Sequence, residues 1–339
     1  MTKPPNKPPN KSSSSTLSDT PATSDSSADK TKDKTAPSQD SLLRVMFEGV
    51  SARAHLVQLD QQWSEISRRH DESPEVISLL GQMTAASVLL SASLKYDGAV
   101  VLQIHGDGPV RLAVAECSAD LGFRSTIKMS DSLAVPEGAD WKALVNQNNL
   151  GRFSVVLDPK VPDQRPYQGI VPLHEDGVAQ ALESYMSRSE QLPSRLWLAC
   201  NGERAAGLLI QRMPDQGGKD RAGNTDEDWL RLVALADTVT EKELLESDPQ
   251  TLLHRLFWQE TPRLLDERRA QFFCPCSRTR VGRMLKTLGA DEISSILTEK
   301  EVVEVSCDFC NTRYSFDAID CAQLFTETGD STAVPKTLQ

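Results

Sequence analysis

The cysteines near the C-terminus carry the spacing in this chain that points most directly to a chemistry. Cys274-Pro275-Cys276 is followed, after thirty residues, by Cys307-Asp308-Phe309-Cys310. Two close pairs facing each other across one loop let four thiolates converge tetrahedrally, and an all-sulfur tetrahedral set selects Zn²⁺. The second pair has the common knuckle spacing, and Asn311 behind it tolerates the left-handed backbone that such turns use. The C-x-C spacing of the first pair is less usual. The spacing leaves two uses open. One is a structural knot that only folds the tail. The other is a redox switch, because the members of each pair are close enough in sequence to close a local disulfide. Oxidation would then remove all four ligands together, and in small zinc domains metal binding and folding are one equilibrium.

Elements must bring those pairs together. Val281, Met284, Leu285, Leu288, Ile293, Ile296 and Leu297 recur at helical spacing between the pairs. Val302, Val303 and Val305 read as a strand leading into Cys307, and Tyr314-Ser315-Phe316 as a strand leaving Cys310. A further helix is expected over Asp317 to Phe325. This defines a small metal-built domain over 271–325, with a flexible tail over 326–339.

Ahead of it, 216–270 is rich in charge. It opens on Gln216-Gly217-Gly218 and Ala222-Gly223-Asn224, then shows narrow apolar stripes at Leu232, Leu235, Ala236 and Val239 and at Leu252 and Leu256. Helices that short are marginal in water. The segment reads as a metastable helical linker.

Residues 41–215 alternate helices and strands. Ser73-Pro74-Glu75 starts a helix, with Pro at its first position and an early carboxylate, and Lys95-Tyr96-Asp97-Gly98 stops it. Its uncharged run Val76 to Leu94 is near the length of a membrane span, but Ser78, Gln82, Thr84, Ser87, Ser91 and Ser93 favour a buried core helix. Val100, Leu102 and Ile104 alternate along one strand. Gly106-Asp107-Gly108-Pro109 turns the chain, and Val110, Leu112 and Val114 alternate back. Strands follow at Phe153 to Leu157 and Tyr167 to Leu173. Gly177 to Arg188 is helical, with Leu182, Tyr185 and Met186 on one side. Arg195 to Cys200 and Ala205 to Met213 form two more strands, joined by Asn201-Gly202. The fold class is α+β: a mainly antiparallel sheet with packed helices, then the linker and the four-Cys domain.

The chain has 339 residues and a formal net charge of −11, a poor default match to phosphate backbones or anionic lipid. Residues 1–40 are dominated by Ser, Thr, Pro, Lys and Asp, without one aromatic, and are expected to be disordered. No apolar run follows Met1, so no secretory signal is expected. A cytoplasmic location follows, with thiols or metal ligands rather than standing disulfides. Gly106-x-Gly108 precedes a strand and lacks a third glycine, so it is a turn. No Walker-type Gly-Lys-Ser/Thr run supports ATP use. The histidines at 55, 70, 105, 174 and 254 are scattered, and no catalytic or cofactor-binding residue can be assigned. Cys117, Cys200 and Cys321 read as small core residues. Arg278, Arg280, Arg283 and Lys286 form a basic patch that can bias nearby thiolates toward ionisation. Asp291, Glu292, Glu299, Glu301 and Glu304 follow closely and argue against a nucleic-acid surface.

Across about 41–325 this layout closely resembles the bacterial redox-regulated heat-shock chaperones of the 33 kDa chaperonin family. The most specific stretch is the four-Cys pattern with Cys276-Ser277-Arg278 and Leu285-Lys286-Thr287-Leu288 inside it. Supporting stretches are Leu94-Lys95-Tyr96-Asp97-Gly98, Gly106-Asp107-Gly108-Pro109, Tyr167-Gln168-Gly169 and Arg188-Ser189-Glu190-Gln191-Leu192-Pro193. The N-terminal forty residues look like an addition, Pro275 stands where the family is often polar, and Asn311 replaces a common Gly. The resemblance implies an ATP-independent holdase and not an enzyme. Reduced and inactive, it would hold one Zn²⁺ on Cys274, Cys276, Cys307 and Cys310. Oxidants would drive disulfides Cys274–Cys276 and Cys307–Cys310, with zinc release, linker unfolding, client binding and homodimer formation. Two competing classes remain: a thiol-disulfide oxidoreductase, and a zinc-folded adaptor for nucleic acid or protein.

Overall fold

The computed structural model describes residues 40–94, 96–161, 164–171, 173, 176–214 and 226–326. Residues 1–39 of the disordered tail expected over 1–40, the Gly-rich opening of the linker and the tail after 326 lie outside the described residues, as do Lys95 and His174.

The chain begins with β1 (Ser41–Phe47), β2 (Ala52–Leu59), α1 (Gln61–Ser67) and the long α2 (Pro74–Ser93). Then come β3 (Gly98–His105), β4 (Val110–Ser118), β5 (Gly122–Met129), α3 (Trp141–Val145), β6 (Arg152–Pro159) and β7 (Tyr167–Val171). Helix α4 (Val178–Ser189) leads into the hairpin β8 (Ser194–Cys200) and β9 (Ala205–Arg212). The helices α5 (Asp226–Ala236), α6 (Glu241–Glu246) and α7 (Pro249–Phe257) follow, and then β10 (Pro262–Arg269) and β11 (Gln271–Phe272). Last come α8 (Arg278–Leu288), α9 (Ala290–Lys300), β12 (Val303–Ser306), β13 (Arg313–Phe316) and α10 (Ala318–Thr326).

The expected sheet is two sheets. One has the order β10-β1-β2-β9-β8, the other β11-β5-β4-β3-β6-β7, and all pairings except β11 with β5 are antiparallel. Helix α2 packs against both, so its Leu80, Met83, Val88 and Leu89 share one core with Val57, Leu102, Ala115 and Leu209. A helix buried on all sides must satisfy its own polar groups. Thr84 Oγ1 donates to the Leu80 carbonyl at 2.7 Å, Ser87 Oγ to Thr84 at 2.7 Å and Ser91 Oγ to Ser118 at 2.8 Å. This is why an apolar helix of membrane length carries so many hydroxyls. It is also why Gly81 is needed: a Cβ there would lie 2.2 Å from the Cys200 sulfur.

Three local expectations are corrected. In β4 the register shifts between Val110 and Leu112, so Ala113, Ala115 and Cys117 face the core while Leu112 and Val114 are half-buried. A bulge inverts the face of every later residue, and alternation read from Val110 cannot anticipate it. Pro262 to Arg269 was expected to be part of a helical linker but is β10, a charged edge strand on β1, with Arg44 paired to Asp266 at 3.2 Å. Charge on an edge strand blunts further pairing and erases the apolar alternation that signals a strand. Asp40 was assigned to the disordered tail but is 6% exposed. Its carboxylate accepts from the Asp60 and Gln62 backbone N–H groups at 2.7 and 3.1 Å and so caps α1 from outside the helix.

The outer face of the five-stranded sheet is covered by the linker helices. Leu43, Val45, Phe47, Leu56, Leu208 and Ile210 meet Leu232, Leu244, Leu245, Leu252, Leu256 and Phe257. Here Phe47 packs edge-on against Phe257 at 5.1 Å.

Two outcomes are expected. A chain beginning at Pro37 should keep the melting midpoint of the full chain, whereas Asp40→Ala should lower stability by about 1–2 kcal/mol, the worth of a lost cap. Thermal unfolding of the three proteins compares them. Burial, with Arg53 and Arg44 nearby, pushes the His55 imidazole down to about 3. The unfolded chain therefore binds a proton that the native chain refuses as pH falls below 6.5. Stability should fall toward acid by up to about 1.4 kcal/mol per pH unit from this residue. In urea titrations His55→Leu should flatten that acid limb.

Candidate metal centre

Strand β11 ends two residues before Cys274, and Ser277, just past Cys276, caps α8 by accepting from the Arg280 N–H. On the other side β12 delivers Cys307 and β13 departs after Thr312. The knuckle between them is closed by backbone bonds: Asn311 N–H to the Cys307 carbonyl at 2.8 Å and Cys307 N–H to the Thr312 carbonyl at 2.9 Å. Asn311 sits at φ 55°, the left-handed conformation expected of it. Behind this loop is a small apolar cluster whose buried members are Leu285, Ile293, Val303, Phe316 and Cys321. Five buried side chains are too few to hold a domain of this size without a covalent or metal staple.

The four sulfurs of Cys274, Cys276, Cys307 and Cys310 lie within 4.8 Å of one another, the only such His/Cys/Asp/Glu group among the described residues. Cys274 is 3.6 Å from Cys307, and Cys276 is 3.2 Å from Cys310. A tetrahedron of thiolates around zinc has sulfur–sulfur edges of about 3.8 Å, given Zn–S bonds of about 2.3 Å. The donor set and its spacing fit the metal. All four are free thiols, and the Cys274–Cys307 and Cys276–Cys310 contacts each link one sequence pair to the other.

Hydroxyls flank the sulfurs. Tyr314 Oη donates to Cys276 Sγ at 3.1 Å, and Thr312 Oγ1 lies 3.2 Å from Cys310 Sγ. Burial works against ionisation at Cys274, Cys276 and Cys310. It pushes Cys274 up to about 12, helped by hydrogen bonding with the neighbouring thiols. At Cys310 burial is outweighed by the Thr312 hydroxyl and backbone and by Cys276 and Cys307, which bring that thiol down to about 6. Four thiolates this close repel one another, and a divalent cation is what would let all of them ionise together.

The remaining sequence candidates fall elsewhere. Cys117 is buried on β4 with its thiol pushed up to about 12 by burial, Cys200 packs against Gly81, and Cys321 belongs to the small apolar cluster. Arg278, read as part of a basic patch, is occupied structurally. It donates to the Ser315 carbonyl at 2.6 Å, pairs with Asp320 at 2.7 Å and stacks on Phe316 at 4.3 Å. Tyr314 and Thr312 were not singled out from the sequence, because a strand reading gives no clue to which side chain turns toward a sulfur.

The sequence model of the family described as "Hsp33 protein" matches residues 40–317. The 33 kDa chaperonin of Methylobacillus flagellatus is 45% identical over 288 residues, 85% of this chain and 94% of the relative. That of Chromobacterium violaceum is 42% identical over 286 residues, 84% of this chain and 94% of the relative. Among solved structures, the 33 kDa chaperonin of Thermotoga maritima superposes with a TM-score of 0.72 at 22% identity, over 86% of this chain and all of the other, which establishes a shared fold.

Reduced protein is expected to carry one zinc per chain by elemental analysis. Cys274→Ser or Cys310→Ser should weaken zinc in chelator competition by more than the roughly 10–100-fold typical of an outer-sphere loss. Tyr314→Phe should fall within that smaller range, and serine at Cys117, Cys200 or Cys321 should leave the zinc content unaltered.

Proposed function

This chain belongs to the Hsp33 family of chaperones, and from that premise we propose that it is a redox-regulated, ATP-independent holdase. The reduced, inactive chain holds one Zn²⁺ on Cys274, Cys276, Cys307 and Cys310 in the cytoplasm. Oxidation closes Cys274–Cys276 and Cys307–Cys310, each pair of zinc-bound thiolates giving up two electrons to the oxidant, and Zn²⁺ leaves. The linker then unfolds, and the active form binds unfolding proteins and associates as a homodimer. It acts without catalysis, nucleic acid or membrane. The candidate for a membrane span, α2, is mostly buried between the sheets.

One observation carries this reading. The helices before the cysteine cluster cover a broad apolar sheet face while being short themselves, with 11, 6 and 9 residues. Isolated helices of that length do not persist in water, so their order depends on the face they cover and on what lies beyond them. What lies beyond is β10 on β1 and β11 on β5, the latter ending just before Cys274. If the metal domain opens, the strand that anchors the far end of the linker loses its neighbour. The sheet face and the helix stripes would then be free for a client.

The test is suppression of aggregation of a thermally unfolding client, with zinc release followed in parallel. Reduced protein should be inactive and oxidised protein active at near-stoichiometric amounts. Hydrogen exchange should show lost protection over 226–326 on oxidation and retained protection in Pro74–Ser93. Equal protection across 226–326 in both redox states, with zinc gone, would return the cluster to a purely structural role. Turnover in an insulin-reduction assay would favour the oxidoreductase reading.

A further inference from the structure

The residues between Cys307 and Cys310 do not face solvent alone. They sit on the six-stranded sheet, at β5. Alternate residues of a strand share a face. Phe123, Ser125 and Ile127 are buried among the core side chains, so Arg124, Thr126 and Lys128 line the other face. All three reach the knuckle. Thr126 Oγ1 donates to the Asp308 carbonyl at 2.8 Å, and Lys128 Nζ pairs with the Asp308 carboxylate at 2.5 Å. The Arg124 guanidinium stacks on the Phe309 ring at 4.2 Å. From the end of α1, Arg69 Nη1 donates to the Phe309 carbonyl at 3.2 Å while stacking on Phe272 at 4.4 Å.

These contacts differ in weight. Lys128 and Asp308 are about half exposed, and such ion pairs are worth little. Thr126 is 4% exposed, so its hydroxyl bond to Asp308 is made out of water. Arg124 is mostly covered and held by Glu116 at 2.6 Å, so its guanidinium is fixed before it meets the ring. Cys274 also interacts electrostatically with that guanidinium, so one core side chain bears on a sulfur of the first pair and on the ring between the sulfurs of the second.

We propose that the β5 face is a docking site for the Cys307–Cys310 knuckle and that Arg124, far from the cysteines in sequence, is a positioning residue of the metal centre. The core thereby holds Asp308 and Phe309 in the shape that aims both knuckle sulfurs inward. Retention of the metal is a property of core and tail together, not of the tail alone. The inference rests on the proposed zinc site for its metal readout, but the docking itself has a metal-free readout.

The experiment uses the full chain with four variants: Thr126→Val, Arg124→Met, Phe309→Leu, and the last two combined. Zinc-loaded reduced protein is mixed with a chromophoric chelator and the transfer rate is read. Arg124→Met and Phe309→Leu should each release zinc about three- to tenfold faster, the range for a partly buried cation–π contact. The double variant should be little faster than Arg124→Met alone, because Phe309→Leu removes a contact that Arg124→Met has already removed. Thr126→Val should accelerate release independently.

Metal-free reduced protein is then labelled with iodoacetamide and read by mass spectrometry. Cys307 and Cys310 should label faster in the variants, while buried Cys117 stays unlabelled and so shows an intact core. Wild-type rates of both zinc transfer and labelling in all variants would overturn the proposal. A wild-type chain that binds no zinc, yet shows the expected labelling differences, would sink the metal reading and leave the docking standing.

Discussion

Four cysteine sulfurs packed within 4.8 Å of one another are a problem in electrostatics before they are a binding site. Without a cation the site is uneven: burial and hydrogen bonding with its neighbours drive Cys274 up to about 12, while the Thr312 hydroxyl and backbone help bring Cys310 down to about 6. With a divalent cation at their centre, the same crowding becomes ligation. The fold around them supplies little of its own, since the apolar cluster behind the knuckle has five buried members. With a metal in the cluster, metal and local fold would stand or fall together. The rest of the chain is arranged so that this local equilibrium has distant consequences.

Those consequences follow the order of the chain. The first pair is tied to the six-stranded sheet by the parallel contact of β11 with β5. One residue earlier, β10 is the outermost strand of the five-stranded sheet. Ala270 bridges the two, its N–H donating to the Asp40 carbonyl at 2.9 Å, where the fold begins. Cleft between two sheets in this way, the segment cannot move away from one without straining its hold on the other. The linker helices precede it and are not hydrogen-bonded into a sheet; side chains reach them instead, with Gln58 Nε2 donating to the Leu244 and Ser247 carbonyls at 2.8 Å. Their stability comes from the apolar face beneath them, including the T-shaped pair of Phe47 and Phe257. Regions held by few buried contacts open at lower free energy than the body of a domain. By that measure the metal domain opens most readily, the linker next, and the core around α2 last.

Much of this was legible in the sequence wherever one local pattern decides the outcome. The cysteine spacing, the buried helix with its hydroxyls, the alternation in β3, the Asn201-Gly202 hairpin and the left-handed Asn311 each depend on a few neighbouring residues. What was not legible depends on partners far along the chain. β10 is a strand because β1 offers it an edge, and its charged sequence carries no strand pattern. The bulge in β4 is a pairing irregularity, invisible until β5 is placed beside it. Asp40 looks like the last residue of a polar tail and becomes structural only when α1 presents two N–H groups to it. The metal site divides in the same way. Its four sulfurs announce themselves by spacing, while Tyr314, Thr312 and Arg124 are ordinary residues until the fold turns them toward sulfur.

That division has a physical consequence for how a four-thiolate site of this kind can be tuned. Changing a ligand opens the shell, leaving three thiolates and a position for water. Changing an outer partner shifts the balance by a modest factor and leaves the shell intact. The outer partners are drawn from two places: Tyr314 and Thr312 from the tail itself, and Arg124 from the core. A partner in the tail alters how tightly a sulfur is held. One in the core alters how strongly opening of the tail is opposed by the body of the protein, and therefore how completely the two events are coupled. On the proposal above Arg124 bears on both, since losing it would speed metal release as well as free the knuckle from β5.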